Sequence, residues 1–270
     1  MPELPEVETI ARGLAKRVIG DVIESVWLGS KPEPLKSSAA EIEETLRSTK
    51  ILNVRRSGKH LVFDLSPVAD DASAVQWLVH LGMTGKLLVC SPETETARHT
   101  HAVLQLRSGR ELRFVDPRRF GRLAVIKEFA PAGREPLQVS LADFSALFRG
   151  RKTPIKSALL NQKLLSGVGN IYADEALFRA GVRPRRRASS LTVAELAGLH
   201  KGLRQVLKEA IRLGGSSISD YVDSDGQEGF FQLKHRVYGR EREPCRACKT
   251  PIKRVVIAGR SSHYCPNCQK

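Results

Sequence analysis

Four of the five cysteines stand in two pairs, CRAC (Cys245, Cys248) and CPNC (Cys265, Cys268), with 16 residues between them. Each pair can grip one metal ion from a tight turn, and together they supply the four thiolates that tetrahedral zinc prefers. No coordination position stays open, so the ion is expected to hold shape rather than to catalyse. Two disulfides are the alternative, disfavoured in a cytosolic chain. Between the pairs runs TPIKRVVIAGRSSHY, with β-branched residues around Ala258-Gly259. That pattern predicts a short hairpin, and so a zinc ribbon. Lys253, Arg254 and Arg260 lie within or near the hairpin, Arg260 near its tip, where a side chain reaches farthest toward a phosphate or a groove. The fifth cysteine, Cys90, follows KLLV and reads as a strand-end core residue rather than a nucleophile.

Three other stretches could do chemistry. The chain opens MPELPEVETI, with Pro2, Glu3 and Glu6 crowded at its tip. A secretory leader needs a basic start and an apolar run, and a transit peptide is rich in Arg and poor in acid, so neither fits. Instead a helix is expected over 6–19, because Val7, Ile10, Leu14 and Val18 share one stripe. Pro5 suits its first position and Gly20 its stop. Glu6 then falls in the first turn, where the helix dipole alone would favour an acid. In SGVGNIYADEALF, Gly167 and Gly169 permit a tight turn and Asn170 suits a helix N-cap. Such a helix start can offer N–H groups to an anion, or be an ordinary turn between helices. Residues 214–230, GGSSISDYVDSDGQEGF, form a long polar segment that reads as a recognition loop or a surface linker.

These residues must be carried by something. A chain of 270 residues with 41% hydrophobic side chains holds one large or two ordinary domains with a real core. No apolar run approaches the ~18–20 residues needed to span a bilayer, so a soluble intracellular protein is expected. The net charge of +15 suggests a polyanion as partner, nucleic acid first and an acidic membrane second. The charge is uneven: +2 over residues 1–130, +5 over 131–230 and +8 over 231–270. The cysteine-bearing segment is thus the densest electrostatic footprint.

Residues 21–127 divide into eight candidate strands: DVIESVWL, KILNVRR, HLVFDLS, AVQWLVHLG, GKLLVC, HAVLQLRS, RELRFVD and RLAVIKE. That many short strands predict a β-sandwich. Segment 67–74, PVADDASA, reads as a polar turn. Helical patterns follow from about 140: LADFSALFRG, TPIKSALLNQ, KLLSGVGNIYADEALFRAG and TVAELAGLHKGLRQVLKEAIRLGG. In the last, Thr192 and Glu195 make a capping box, Leu196, Leu199, Leu203, Val206, Ala210 and Ile211 a stripe, and Gly214-Gly215 a stop. The expected class is α+β multidomain: a β-sandwich with flanking helices over 1–130, a helical domain with the long loop over 131–230, and the zinc ribbon over 231–270.

PELPEVET, HLGMTGKL, DPRRFG at 116–121, SGVGNIYADEALF, VYGRE and the paired CxxC occur in this order along essentially the whole chain. In this the chain resembles the bacterial formamidopyrimidine-DNA glycosylases, repair enzymes that remove oxidised purines such as 8-oxoguanine and cut the strand. The resemblance implies a helix-two-turns-helix fold for the middle domain, one structural zinc, and duplex DNA carrying oxidised bases as partner. It implies that Met1 is removed and that the free amine of Pro2 attacks C1′ of the damaged nucleotide. An amine at a chain tip is nucleophilic where the same proline within a chain is not, and α-amino groups titrate near ~8. A Schiff base and β,δ-elimination would follow. Glu3 is implied as the acid that protonates O4′, Glu6 as the residue positioning the turn, and Lys59 as a phosphate ligand and proton-transfer aid. Met83, Arg118 and Phe120 would fill the hole left by the evicted base. Lys156, Asn170, Arg260 and His99 would contact DNA, and the loop around Ser217 and Tyr221 would close over the base. The resemblance also implies a cytoplasmic, nucleoid-associated protein; nothing suggests a dimer surface, so a monomer is expected. Two departures, the added DDASAVQ and the PAGREPL segment, sit away from this chemistry. Two rivals remain: an endonuclease VIII-like enzyme for oxidised pyrimidines, against which Leu4 and the Met83, Arg118 and Phe120 set argue, and a non-enzymatic zinc-ribbon DNA-binding protein, which would not need Pro2, Glu3 and Lys59.

Overall fold

A computed structural model describes residues 1–68, 74–218 and 221–270. Most of the polar turn expected at 67–74, and residues 219–220 of the long loop, lie outside the described residues. The chain forms two compact units, residues 1–130 with 214–229, and residues 131–213 with 230–270.

In the first unit the apolar stripe at the chain start folds as α1 (Leu4–Val18), burying Leu4, Val7, Ile10, Ala11, Leu14 and Val18. The helix begins two residues before the stripe requires. Glu3 is its N-cap, in a reciprocal capping box with Glu6, and Pro5 sits in the first turn, where a missing N–H costs nothing. All eight expected strands form: β1 (Val22–Leu28), β2 (Thr49–Ser57), β3 (His60–Pro67), β4 (Val75–His80), β5 (Lys86–Cys90), β6 (Thr100–Leu106), β7 (Glu111–Val115) and β8 (Arg122–Ile126). They pair in the order β5-β7-β6-β1-β2-β3-β4-β8, each pair antiparallel. Register shifts at Ile23/Ser25, Ile51/Asn53 and Thr100/Ala102 bend the ladder. All eight strands belong to one continuous hydrogen-bonded sheet rather than to two separate ones. The Phe114 ring of β7 lies so close to Gly121, just before β8, that a Cβ there would stand 2.5 Å from Cζ. Residues from both ends of the sheet, Leu87, Leu112 and Phe114 with Phe63, Trp77 and Leu123, share one core with α1.

One α-helix escaped the pattern. α2 (Ala39–Leu46) buries only Ile42 and Leu46, and is held by a Ser38/Glu41 capping box.

The second unit contains α3 (Leu141–Ala146), α4 (Ile155–Leu159), α5 (Asn170–Arg179) and α6 (Val193–Arg212), then a hairpin of β9 (Lys253–Ile257) and β10 (Arg260–Tyr264). The Thr192/Glu195 capping box forms as expected, and Arg186 adds an ion pair to Glu195. Ala258 (φ +46°) and Gly259 (φ +75°) make the two-residue hairpin turn, both in the left-handed region that a type I′ turn demands. The N-cap of α5 is Gly169, not Asn170. Asn170 is the first helical residue, and its side chain turns to β10 instead. Among the described residues no helix is long and apolar enough to cross a membrane.

Candidate active site, DNA-binding surface and metal centre

The chain tip is not a frayed end. Pro2 is buried, as are Glu3 (3% exposed) and Glu6 (2%), whereas Met1 is exposed. The Glu6 carboxylate joins two segments far apart in sequence. Its Oε2 accepts the N–H of Glu3 (2.8 Å) and its Oε1 the N–H of Ser216 (2.8 Å). Thus the start of α1 and the start of the 214–229 segment share one buried carboxylate. Ser217 accepts the N–H of Gly229 through Oγ (2.9 Å) and donates to the carbonyl of Tyr221 (3.0 Å), tying the two ends of the segment together. The Tyr221 hydroxyl donates to the carbonyl of Gly214 (3.0 Å). Burial, and then the charge of Glu6, push the phenol above its ordinary range. Ser217 and Tyr221 therefore stand beside Glu6, in the unit that carries Pro2 and Glu3.

Lys59 lies in the two-residue turn between β2 and β3, where Ser57 pairs with His60. It is 9% exposed. This turn is fixed to α1 by Glu8, one helical turn beyond the tip. Glu8 pairs with Arg56 (2.8 Å), which also donates to the carbonyl of Gly58 (3.3 Å), and with Arg12 (2.8 Å). Burial alone would raise the Glu8 carboxyl, but the two guanidinium groups hold it below its ordinary value.

Met83, Arg118 and Phe120 come together on two touching turns. Asp116, fully buried, is their common anchor: it accepts the Thr84 hydroxyl (2.6 Å) and the Gly121 N–H (2.7 Å). Thr84 in turn accepts the N–H of Arg118 (3.3 Å). Gly82 (φ +62°) leaves no room for a side chain, since a Cβ would stand 2.5 Å from the carbonyl carbon of Phe120. His80 fixes the same turn, its Nδ1 accepting the Gly82 N–H (3.1 Å). Above these anchors Met83 (41%) and Phe120 (54%) are exposed, and the Arg118 guanidinium lies 4.8 Å over the Phe120 ring. Arg118 is thus no ion-pair partner of Asp116. His99 is exposed, with φ +73°, and its carbonyl accepts the N–H of Asp116 (3.0 Å). Cys90 ends β5 half-buried, and burial pushes its thiol up, away from nucleophilic use.

In the second unit Lys156 departs from its expected place. It is fully buried, its Nζ 2.7 Å from Asp174 Oδ1 and donating to the carbonyl of Ser261 (2.6 Å). It is a strut between helix and hairpin rather than a surface phosphate ligand. Asp174 also accepts the N–H of His263 (2.8 Å), and Asn170 Nδ2 donates to Ser261 Oγ (3.4 Å). Three side chains of α4 and α5 therefore clasp β10, whose first residue is the exposed Arg260. Asn170 Oδ1 is buried with no hydrogen-bond partner. The neighbouring Glu175 is buried and accepts the N–H groups of Arg236, Val237 and Tyr238 (2.9–3.0 Å), anchoring the chain at the start of VYGRE. Burial pushes its carboxyl up, and those three N–H groups oppose the shift. Asp174 and Glu175 were legible only as polar letters in a helix; their partners are remote in sequence.

The sulfur atoms of Cys245, Cys248, Cys265 and Cys268 all lie within 4.8 Å of one another. Cys245 and Cys268 are 3.9 Å apart, Cys248 and Cys265 3.4 Å. A tetrahedron with metal–sulfur bonds of about 2.3 Å has edges of about 3.8 Å, so the set fits zinc. Val237 and Ile252 pack against Cys245 and Cys265 in a cluster of their own.

The chain resembles known proteins along its whole length. Residues 1–123 match the formamidopyrimidine-DNA glycosylase N-terminal domain, residues 132–222 the formamidopyrimidine-DNA glycosylase H2TH domain, and residues 242–270 a zinc finger found in FPG and IleRS. The cysteine cluster accordingly holds one structural zinc ion. A formamidopyrimidine-DNA glycosylase of Solibacter usitatus is 46% identical over 278 residues, covering all of both chains. A mutant of Lactococcus lactis FPG in complex with Fapy-dG-containing DNA superposes with a TM-score of 0.89 at 32% identity, covering all of both chains. MutM in complex with carbocyclic 8-oxo-G-containing DNA gives a TM-score of 0.88 at 32% identity, again over all of both chains.

Proposed function

Since the chain belongs to the formamidopyrimidine-DNA glycosylase family, we propose that its buried tip is the reacting centre and derive below how its residues would work. The protein is a DNA glycosylase and AP lyase that removes oxidised purines, 8-oxoguanine and formamidopyrimidines, from duplex DNA. Removal of Met1 frees the secondary amine of Pro2. Its lone pair forms a bond to C1′ of the damaged nucleotide as the glycosidic bond breaks and the base leaves with its electron pair. The ammonium so formed gives up its N–H proton, Glu3 donates a proton to O4′, the C1′–O4′ bond breaks, and the restored nitrogen lone pair makes the iminium. The iminium acidifies C2′–H, so loss of that proton expels the 3′ phosphate, and a second elimination expels the 5′ phosphate. Glu6 holds the tip and the 214–229 segment in register. Lys59, on its turn beside α1, receives a phosphate and assists proton transfer.

Met83, Arg118 and Phe120 enter the duplex where the base has left: a flexible apolar wedge, a cation able to hydrogen-bond the orphaned partner base, and a ring to stack. Ser217 and Tyr221 belong to the segment facing the extruded base. Asn170, His99 and Arg260 take phosphates, while Lys156 serves by holding the hairpin that presents Arg260. We place the protein in the bacterial cytoplasm at the nucleoid, as a monomer. The division of labour follows 1–130 for chemistry, 131–230 for helix-two-turns-helix binding and the loop, and 231–270 for the ribbon, except that loop residues 214–229 pack in the unit of 1–130.

The observation that carries this reading is the burial of residues 2–6 against Ser216 through Glu6. A terminus that only solvates DNA has no need of it. Borohydride trapping on a duplex with one 8-oxoguanine, with mass mapping of the adduct, tests it. An adduct at Pro2 is expected. No adduct, with Met1 absent and the duplex bound, would defeat the Pro2 mechanism.

A further inference from the structure

Between β5 and β6 runs the loop SPETETARH, residues 91–99, and all nine are exposed. No side chain of it enters the core, so apolar burial cannot fix its path. Yet it ends on His99, whose left-handed backbone (φ +73°) is unusual for a residue with a Cβ and must be held by its surroundings. What holds it lies beneath. Arg113 of β7 is 3% exposed, and its Nε donates to Glu111 (2.5 Å), which Gln105 also binds. Its two other nitrogens reach the loop's backbone: Nη1 donates to the carbonyls of Thr94 (2.7 Å) and Glu95 (3.2 Å), and Nη2 reaches those of Ser91 (3.4 Å) and Pro92 (3.5 Å). A guanidinium offers five N–H donors in a rigid fork, so it can organise several carbonyls at once where an ammonium is a single point. At the far end of the loop the Asp116 N–H takes the carbonyl of His99 (3.0 Å). His99 is thus pinned to the turn that carries Arg118 and Phe120, with Arg113 shaping the approach.

We infer that Arg113 is a positioning residue for DNA binding, which sets the path of loop 91–98 so that the His99 imidazole meets a DNA phosphate beside the Arg118–Phe120 turn. The inference rests on the reading of His99 as a DNA contact. Because Arg113 grips carbonyls, loop side chains can be exchanged freely so long as the backbone is not loosened by glycine, while the arginine cannot.

The test compares His99→Ala, Arg113→Lys and the double variant in two measurements. One is affinity for a duplex with an uncleavable abasic analogue, by fluorescence anisotropy. The other is amide hydrogen exchange over residues 92–99. Each single variant should weaken binding on the order of fivefold. The double variant should be no weaker than either, since both remove one contact. Arg113→Lys should speed exchange in the loop. Wild-type affinity in Arg113→Lys, or penalties that multiply in the double variant, would overturn the inference. Wild-type affinity in His99→Ala alone would instead remove the His99 reading on which it rests, and the inference with it. Should Arg113→Lys fail to fold, Pro92→Gly with Thr94→Gly loosens the exposed loop and leaves the core intact. That variant must then reproduce the His99→Ala loss; wild-type affinity would count against the inference.

Discussion

His80 makes acid a specific solvent for the turn that presents Met83. The ring ends β4 with its Nδ1 accepting the Gly82 N–H, a role that only the unprotonated nitrogen can fill. Burial first, and then the charges of His60, Lys59 and Arg122, hold its pKa at about 4 against an ordinary 6.5. The folded value lies below the unfolded one. The neutral ring therefore contributes stability in full above 6.5, and loses it as pH falls through the window from 6.5 to 4. At pH 5 the unfolded chain binds a proton that the folded chain declines, which amounts to about 2 kcal/mol lost between pH 7 and pH 5. Urea denaturation of the wild type and of His80→Asn at both pH values reports this residue together with its coupling to the neighbouring His60, because an Asn carbonyl can accept the same N–H without titrating. His235, in the other unit and also held at about 4 by burial, contributes equally to both proteins and cancels. The wild type should lose about 2 kcal/mol more than the variant on going to pH 5. An equal loss in both would refute the assignment of that stability to His80.

Two further outcomes follow from the site. Stripping the metal with a chelator, or Cys248→Ser, should unravel the hairpin that presents Arg260 and lower DNA affinity. Zinc contributes about 10–16 kcal/mol to comparable folds, and the cluster around Val237 and Ile252 is too small to replace it; metal content read alongside anisotropy checks this, and full affinity without zinc would contradict it. Glu6→Gln keeps one acceptor but turns an N–H toward the other buried donor, so it should cost about 1–3 kcal/mol and reduce trapping at Pro2; a wild-type melting temperature would contradict the shared-carboxylate reading.

The strands were legible because each alternates or runs apolar between turn residues, and their observed bounds fall within two residues of the pattern. α2 was not, because eight residues with only Ile42 and Leu46 inward leave almost no periodic signal; its Ser38-x-x-Glu41 box was the available cue. The metal centre was fully written in the cysteine spacing. Lys156 was not, because a lysine's burial depends on a partner, and Asp174 and Ser261 arrive from elsewhere along the chain. Asn170 looked like a cap because the residue type suits one, but Gly169 already has the extended backbone of an N-cap and leaves Asn170 free to meet β10. Arg113 gave little cue: only its Glu111 partner, two residues away on the same strand, shows in the sequence, while the loop carbonyls it holds do not.

Residues 214–229 belong to the first unit although the chain builds most of the second before reaching them. That ordering has a consequence during synthesis. A nascent chain that has just released residue 130 holds every strand of its sheet, but Glu6 still lacks the Ser216 N–H, which lies another 86 residues downstream. At ~5–20 residues per second the delay is on the order of ten seconds. Through that interval the tip lacks the Ser216 N–H and the 214–229 segment, so its buried carboxylate is completed only after the helices of residues 131–213 have been made.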